Sequence, residues 1–285
     1  MMLQVRGHLH VASATPASGK SVITTALIRA LHDDGVRVLP FKPVSEVDGD
    51  GQAPGPPAAL VHQCFAAGVA VEADMAPVRV VPSGSEYDVW LWTRLLGRVP
   101  RLGRDMPVLD ALGDSKTRLL TDEIERAAAR LRRDCDALIS EGAGSLGELA
   151  ALSRDDIANL HVARMADGVA LVARASQGAT FQLIDSLARM LLADPAVNLL
   201  GFIVNDVRAC HDLYDRAAAA ASARIDLPCL GLMPWSDFFA GRPKYEPPSE
   251  GCREDHGHLA RLLRDSLDLR LASRVPGVAG RLAAS

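Results

Sequence analysis

Aromatic residues and cysteine pairs are scarce in this 285-residue chain. Phe, Tyr and Trp make up 4% of the residues while hydrophobic residues make up 48%, so the core must be built mainly from Ala, Val and Leu. No Cys-x-x-Cys pair occurs among the five cysteines, which are Cys64, Cys135, Cys210, Cys229 and Cys252. This spacing disfavours a zinc site and a disulfide framework, and it predicts reduced, mostly buried thiols.

Long apolar runs and an excess of positive charge are also missing. No run is long enough to span a bilayer, and the first ten residues, "MMLQVRGHLH", have no signal-like apolar region. The net charge is −4, with Lys and Arg spread along the chain, which argues against a nucleic-acid-binding surface. We therefore predict a cytoplasmic protein without a membrane or nucleic-acid partner.

Short apolar runs alternate with helical stretches along the chain. This order predicts an α/β fold, a doubly wound and mostly parallel sheet with helices on both faces. The predicted strands are 8–12, 36–41, 136–140, 168–173, 199–204 and 229–233. The predicted helices are 21–34, 116–133, 179–193, 211–224 and 258–271. We predict one domain over residues 1–240, followed by a Pro-rich connector and a C-terminal helix (241–285) that packs on it.

The stretch "HVASATPASGKSVITT" follows the order strand, loop, helix that a phosphate-binding loop requires. Backbone N–H groups at the helix start would hold a triphosphate, Lys20 would neutralise the β and γ phosphates, and Ser21 would ligate Mg²⁺. The strict pattern G-x-x-x-x-G-K-[ST] fails, because Ala14 stands where the first glycine belongs. From this stretch alone, a nucleotide site and a plain helix start are equally good interpretations.

Two further segments end strands at the same sheet edge. Lys42 follows the second predicted strand in "FKPVSE", and Glu141 follows another in "SEGAGS", where Gly142 and Gly144 let the backbone approach a ligand closely. A lysine alone in such a place is usually a solvated charge. Together with the first loop, these features favour ligand chemistry at this edge.

The ordered set "SGKS", "PFKPVS", "DMAPVRVVPSG", "SEGAGSLGEL", "RDDIANL", "GFIVND" and "LGLMPW" resembles the nucleotide-binding domain shared by cobyric acid synthase and dethiobiotin synthetase. The resemblance covers about residues 5–236. It implies a P-loop NTPase-like fold that binds ATP and Mg²⁺. It also implies a ligase that activates a carboxylate or carbamate as an acyl phosphate, which an amine or ammonia then displaces.

The resemblance also assigns roles to residues. Lys20 and Ser21 would hold phosphate and Mg²⁺, Lys42 would lie between the γ phosphate and the acceptor, and Glu141 would ligate the metal. The other residues assigned to the nucleotide are Ser13, Ala17, Ser18, Gly19, Val22, Asn205, Pro234 and Trp235, the last three around the adenine. Those assigned to the acceptor are Ser45, Gly142, Ala143, Gly144, Asp156 and Asn159, with Arg154 and Asp155 beside them. A strand-end cap is the alternative for Asn205, and a capped helix start is the alternative for residues 154–160.

Two positions depart from the family pattern. In the longer family loop the first glycine lies seven residues before the lysine, and Ser13 occupies that position; serine fits there if the backbone needs no positive φ. The second acidic metal ligand aligns with Gly55, so Asp48 or Asp50 would have to replace it. These departures bear on turnover more than on nucleotide binding.

The sequence after Trp235 is too short for the glutamine-hydrolysing domain of cobyric acid synthase, and no cysteine lies in a Gly-x-Cys-x-Gly turn. The nitrogen would then come from free ammonia, a separate glutaminase subunit or an amine on the substrate. A homodimer stays open because dethiobiotin synthetase is dimeric. The alternatives to a ligase are a non-catalytic nucleotide-binding or scaffold protein and a switch-type ATPase of the same fold, although the extra early lysine of those ATPases is missing.

Overall fold

A computed structural model describes residues 7–13, 15–47, 54–102, 106–107, 109–144, 146, 156–238, 248 and 252–267. Its strands are β1 (Gly7–Ser13), β2 (Val38–Phe41), β3 (Val44–Glu46), β4 (Val78–Ser83), β5 (Glu86–Leu91), β6 (Arg94–Leu102), β7 (Met106–Pro107), β8 (Ala137–Glu141), β9 (Gly168–Arg174), β10 (Leu199–Val207) and β11 (Cys229–Pro234). Its helices are α1 (Lys20–Asp33), α2 (Ala58–Ala67), α3 (Asp114–Asp134), α4 (Leu160–Met165), α5 (Thr180–Leu192), α6 (His211–Ile225) and α7 (Cys252–Ser266).

The central sheet has six strands in the order β11-β10-β9-β1-β8-β2, and all neighbouring strands run parallel. These are the six strands that the sequence predicted, so the doubly wound α/β class is confirmed. The loop after β1 and the ends of β8 and β2 lie side by side at the carboxyl edge. In doubly wound folds this edge is where ligands bind.

Apolar side chains cover both faces of the central sheet. On one face, Val11 and Ile139 share a buried cluster with Ile28 of α1 and Leu263 of α7. On the other face, α5 and α6 pack on the β9 and β10 side and α3 packs near β8 and β2. The strands read as nearly continuous apolar runs because both of their faces are buried.

The last helix begins earlier than the sequence predicted. It starts at Cys252 rather than at residue 258, so the end of the predicted connector is helical, while residues 268–271 lie outside the described part of the chain. Arg264 anchors this helix to α1 through Nη2, which donates to the carbonyl oxygen of Ala30 at 2.6 Å and to Asp34 at 2.8 Å. A helix so attached encloses the α1 face of the core.

The chain between β2 and α3 forms a second sheet, which was not predicted from the sequence. It has the order β3-β4-β5-β6-β7; β3 pairs with β4 in parallel and the other pairs are antiparallel. Gly84, with φ 62°, begins the two-residue turn that joins β4 to β5, where a positive φ favours glycine. One face of this sheet packs on α3 through residues such as Val80 and Val89.

Candidate active site

The loop between β1 and α1 is shaped by two left-handed residues, Ala17 and Gly19, with φ of 56° and 92°. Ser13, at the end of β1, is not among the described residues with positive φ. The condition under which serine replaces the family glycine is therefore met. Ser18 is fully buried, and its hydroxyl donates to the carbonyl oxygen of Thr15 at 2.7 Å, so the loop holds its own shape.

Gly19 is the residue immediately before α1, and its neighbourhood leaves no room for a side chain. A Cβ at this position would lie 1.9 Å from Nδ2 of Asn205, which donates to the carbonyl oxygen of Ser18 at 3.0 Å. Asn205 thus ties the end of β10 to the loop, a contact that neither the predicted adenine role nor the strand-end cap includes. Val22 packs its side chain against the core, which leaves its backbone at the helix start.

Lys20 is the first residue of α1, and its ammonium group points toward Ser13 and Gly144. Its side chain is buried, and Nζ donates to Ser13 Oγ at 2.8 Å and to the carbonyl oxygen of Gly144 at 2.5 Å. Ser13, which stands where the family loop has its first glycine, therefore accepts a hydrogen bond from Lys20. The same lysine joins the first loop to the segment after β8.

Glu141 is the centre of the site. Its side chain is 0% exposed, and the Ser21 hydroxyl, which donates to it, lies 2.9 Å from each carboxylate oxygen. Oε1 also accepts hydrogen bonds from Lys42 Nζ at 2.8 Å and from Gln63 Nε2 at 3.1 Å. Burial alone would raise the pKa of this carboxyl group, but Lys42, Lys20 and the Ser21 hydroxyl together hold the pKa below its usual value. Glu141 is therefore ionised at neutral pH.

Gly142, Ala143 and Asn159 form the wall beyond Glu141. Asn159 Nδ2 donates to the carbonyl oxygen of Ala143 at 2.8 Å, and a Cβ on Gly142 would lie 1.9 Å from Asn159 Oδ1. Glycine is required there because the amide packs directly on the backbone. Gly144 has φ 65° and open space where a Cβ would be, so its constraint is conformational.

Asp156 caps the turn that leads into α4. Its Oδ1 accepts the backbone N–H of Asn159 at 3.0 Å, whereas Asn159 itself, at the N-cap of α4, makes no side-chain capping hydrogen bond. Burial is the largest influence on this carboxyl group and raises its pKa to about 6, although nearby backbone and Asn159 N–H groups act to lower it. Asp156 thus lies next to Asn159, which in turn contacts Ala143.

Pro234 and Trp235 lie at the end of β11, where the Trp235 backbone N–H donates to the carbonyl oxygen of Val207 at 3.1 Å. The Trp235 ring is 44% exposed, and the Arg208 guanidinium lies 4.7 Å from its centroid. Arg208 in turn donates to Asp206 at 2.9 Å. An exposed ring held by a cation is a surface on which a planar group can stack.

Some predicted residues stay apart or lie outside the described residues. Ser45 is fully buried and its hydroxyl donates to the carbonyl oxygen of Lys42 at 3.3 Å. Asp48, Asp50, Arg154 and Asp155 lie outside the described part of the chain. Glu141 is thus the predicted metal-binding carboxylate that lies within the described part of the chain. In that part, no group of three or more His, Cys, Asp and Glu side chains is suited to hold a metal ion.

Three buried polar side chains on β1 and β8, next to the site, were not predicted from the sequence. His8 Nε2 and His10 Nδ1 lie 2.7 and 2.9 Å from Ser140 Oγ, which can donate to only one of the two rings and therefore accepts from at least one of them. Burial lowers the pKa of each histidine to about 3, and for His10 the charges of Lys20 and Lys42 add to the effect. Their signal was the His-x-His alternation, which places both rings on one face of a strand.

Gln63 was not predicted either, because it lies on α2, a helix that is not among those predicted from the sequence. Its contact with Glu141 joins residues 78 apart in sequence.

Among the described residues, no helix is long and apolar enough to cross a membrane.

A central parallel sheet, a loop with a lysine at the start of its helix and a carboxylate at the end of the adjacent strand define a P-loop nucleotide-binding protein. Residues 9–248 match the family described as the "CobQ/CobB/MinD/ParA nucleotide binding domain", and the chain belongs to this family. The resemblance predicted from the sequence is therefore confirmed.

The relatives and solved structures that are similar to this chain agree with that assignment. Cobyric acid synthase of Pelotomaculum thermopropionicum is 33% identical over 227 residues, which are 76% of this chain and 41% of that protein. Cobyric acid synthase of Roseiflexus castenholzii is 30% identical over 270 residues, 92% of this chain and 51% of that protein. The chain thus spans about half the length of these relatives, or less. A ParA family ATPase from Chlorobium tepidum has a TM-score of 0.51 at 11% identity, covers 92% of this chain and 97% of its own, and shows the shared fold.

Proposed function

We propose that this chain is an Mg²⁺- and ATP-dependent ligase that activates a carboxylate or carbamate of a small molecule for C–N bond formation. The observation that carries the proposal is Glu141, a buried and ionised carboxylate held between the Ser21 hydroxyl and the Lys42 ammonium group. This arrangement joins a phosphate loop to a second cation at the next strand end. The cobyric acid synthases to which the chain is similar support the same class of reaction.

The loop and the start of α1 supply the nucleotide end of the proposed site. The first N–H groups of a helix have no intrahelical acceptor, and the positive end of the helix dipole favours phosphate. The αL conformation of Gly19, with no room for a Cβ, keeps the backbone close to the position of the phosphates. Lys20 would move from Ser13 and Gly144 to the phosphate oxygens, since these are stronger acceptors than a hydroxyl or a carbonyl group.

The residues present fit Mg²⁺. This ion takes oxygen ligands and is usually bound by one or two carboxylates together with water and substrate phosphates. Ser21 Oγ lies 2.9 Å from both Glu141 oxygens, and the lowered pKa keeps Glu141 ionised, as a ligand must be. Ser21 and Glu141 would hold the ion. When bound, Mg²⁺ neutralises charge on the β and γ phosphates.

Lys42 would act at the reacting end. It is 12% exposed, so its ammonium group lies at the boundary between Glu141 and the open edge of the sheet. A cation there stabilises the charge that develops as the acceptor oxygen attacks the γ phosphate. Gly142, Ala143, Gly144 and Asn159, with Ser45 and Asp156, would border the acceptor.

The adenine would lie between Asn205 and the Pro234–Trp235 corner. Asn205 Nδ2 is already used by Ser18, so Oδ1 is the atom available to accept the adenine amino group. The exposed Trp235 ring would cover the base. The nitrogen source stays open among ammonia, a separate glutaminase subunit and an amine on the substrate.

The test supplies Mg·ATP either with ammonia and a panel of carboxylates labelled with ¹⁸O in the carboxyl group, or with a panel of amines and ¹⁸O-labelled bicarbonate, which form carbamates. In an acyl phosphate the carboxylate oxygen bonds to phosphorus, and displacement by nitrogen breaks the C–O bond, so one label leaves in phosphate. We expect acceptor-dependent ADP release with label in phosphate, its loss in Lys20→Ala, and its retention in the control Lys116→Ala. Lys116 is a suitable control because it donates to the carbonyl oxygen of Leu96 in the second sheet.

The ligase proposal fails if no acceptor increases ADP release, or if Lys20→Ala releases as much ADP as the unmodified protein. Tight ATP binding without acceptor-dependent ADP release would instead support the nucleotide-binding or scaffold alternative. ADP release that depends on a protein or DNA rather than on a small acid would support the switch-type ATPase.

A further inference from the structure

The face of the second sheet that is turned away from α3 carries a row of three polar side chains, the buried Ser45 and Trp90 and the half-buried Arg79, here called the Arg79 row. Ser45 of β3 is directly opposite Arg79 of β4, which is directly opposite Trp90 of β5. Opposite residues point to the same face, so the three side chains lie side by side across the strands. Val80 and Val89, which alternate with them, point to the opposite face, which packs on α3.

Arg79 is a half-buried cation without an anionic partner among the described residues. Nη1 donates to the carbonyl oxygen of Pro54, while the buried Nε has no hydrogen-bond acceptor in the described part of the chain. The carboxylate on the same face, Asp88, is taken by Arg98, whose Nε donates to it at 2.7 Å. Burial lowers the pKa of Arg79, the mark of a cation that has lost water without gaining a counter-ion.

Trp90, directly opposite Arg79, also has a buried hydrogen-bond donor without an acceptor among the described residues. Its side chain is 9% exposed and packs with Val47 and Val81, yet the indole Nε1–H is buried and no described residue accepts its hydrogen bond. A buried donor without an acceptor destabilises the protein, because the donor has lost its hydrogen bond to water. Two such donors on adjacent strands, one of them cationic, match the two oxygens of a single anionic group.

We propose that Arg79 and Trp90 form a carboxylate subsite that binds an acidic group of the small-molecule acceptor. Arg79 Nε–H and Trp90 Nε1–H supply two hydrogen bonds, and the guanidinium supplies the compensating charge. A guanidinium presents its donors in a fixed fork that suits carboxylate geometry. The identification of the ligand as the acceptor rests on the ligase function proposed above; the anion site itself does not.

The row is connected to the reacting end through Ser45. The Ser45 hydroxyl donates to the carbonyl oxygen of Lys42 at 3.3 Å, and β3 begins two residues after that lysine. An acid held on the row would therefore be bound beside the segment that carries Lys42. Binding by a group remote from the reacting atom positions the acceptor for attack.

The test measures anion binding without nucleotide. Acetate, succinate and tricarballylate, with phosphate and sulfate as the other anions, are titrated at constant ionic strength, and binding is followed by thermal stability and tryptophan fluorescence. We expect saturable binding of a carboxylate that weakens about tenfold or more in Arg79→Met and in Trp90→Phe, since hydrogen bonds to a charged group are lost. Arg37→Gln is the control, because Arg37 is an exposed arginine outside the second sheet that pairs with Asp136, and it should bind the anion as the unmodified protein does.

Stability without an anion separates this role from a structural one. If Arg79 is an uncompensated cation, Arg79→Met should unfold at the same temperature as the unmodified protein or higher, because it removes a desolvation cost. A lower unfolding temperature would identify a structural arginine and overturn the proposal. Equal anion binding in Arg79→Met, or binding of phosphate and sulfate without any carboxylate, would overturn it too. Since no ATP is present, failure here leaves the labelled-phosphate test of the ligase function unaffected.

Discussion

The ion pair between Glu141 and Lys42 gives the sharpest energetic prediction. Glu141 is 0% exposed and Lys42 is 12% exposed, with 2.8 Å between Oε1 and Nζ. At this distance two unit charges attract by about 6 kcal/mol at an effective dielectric constant of 20 and by about 1.5 kcal/mol at 80. A pair with one partner at the edge of solvent lies between these limits, so we expect a coupling energy of about 3 kcal/mol.

The perturbation is a double-mutant cycle of Glu141→Gln and Lys42→Met, and the assay is urea unfolding at neutral pH. Each single variant should lose about 3 kcal/mol, because it leaves a charge buried without its partner. The double variant should lose about 3 kcal/mol less than the sum of the two. A cycle on Arg37 and Asp136, an exposed pair 3.0 Å apart, should give a much smaller coupling energy.

The pH dependence of this coupling follows from the carboxyl group. Its pKa in the folded protein lies below the ordinary value of 4.5, so the stabilisation is complete above pH 4.5 and is lost as the pH falls through the folded pKa. A coupling energy below about 1 kcal/mol at neutral pH, or one that grows as the pH falls below 4.5, would show that Glu141 and Lys42 do not stabilise each other as a buried ion pair.

Three further predictions concern the loop and the buried titratable groups. Gly19→Ala should lose nucleotide binding and more stability than Gly35→Ala, because both glycines have positive φ but only Gly19 has a neighbour in the way of a Cβ; urea unfolding and ATP titration compare them, and equal losses would contradict this. Burial raises the pKa of Asp156 from 3.8 to about 6, so the free energy of unfolding falls as pH rises between these values. Asp156→Asn should lose about 3 kcal/mol less over that interval, and an unchanged pH profile would count against it. Burial lowers the pKa of His8 and His10 from 6.5 to about 3, so stability is lost as pH falls below 6.5; in His10→Gln the slope near pH 5 should be smaller by about 1.4 kcal/mol per pH unit, and an equal slope would be inconsistent with a neutral buried ring.

The central sheet could be predicted from the sequence because strands buried on both faces leave short apolar runs. Glu141 and Lys42 could also be placed at one edge, since parallel strands end on the same side of a sheet. The structure brings these two residues together across 99 positions. Their roles in catalysis stay predictions.

The second sheet could not be predicted in this way. On β4 and β5, buried valines alternate with Arg79, Asp88 and Trp90, so these strands lack the continuous apolar runs from which the central strands were predicted. The pairing of Ser45 with Arg79 depends on the register of β3, which no local pattern specifies. The same limit applies to Gln63, whose contact with Glu141 depends on how α2 packs.

The central claim is that Ser21 and Glu141 bind the metal ion of an Mg·nucleotide complex beside Lys20. The most direct measurement is calorimetric titration of ATP with and without Mg²⁺ into the unmodified protein and into Glu141→Gln. The account predicts that Mg²⁺ tightens ATP binding in the unmodified protein, and that this gain falls about tenfold or more in Glu141→Gln while Mg²⁺-free binding is retained. The same gain from Mg²⁺ in both proteins would contradict it.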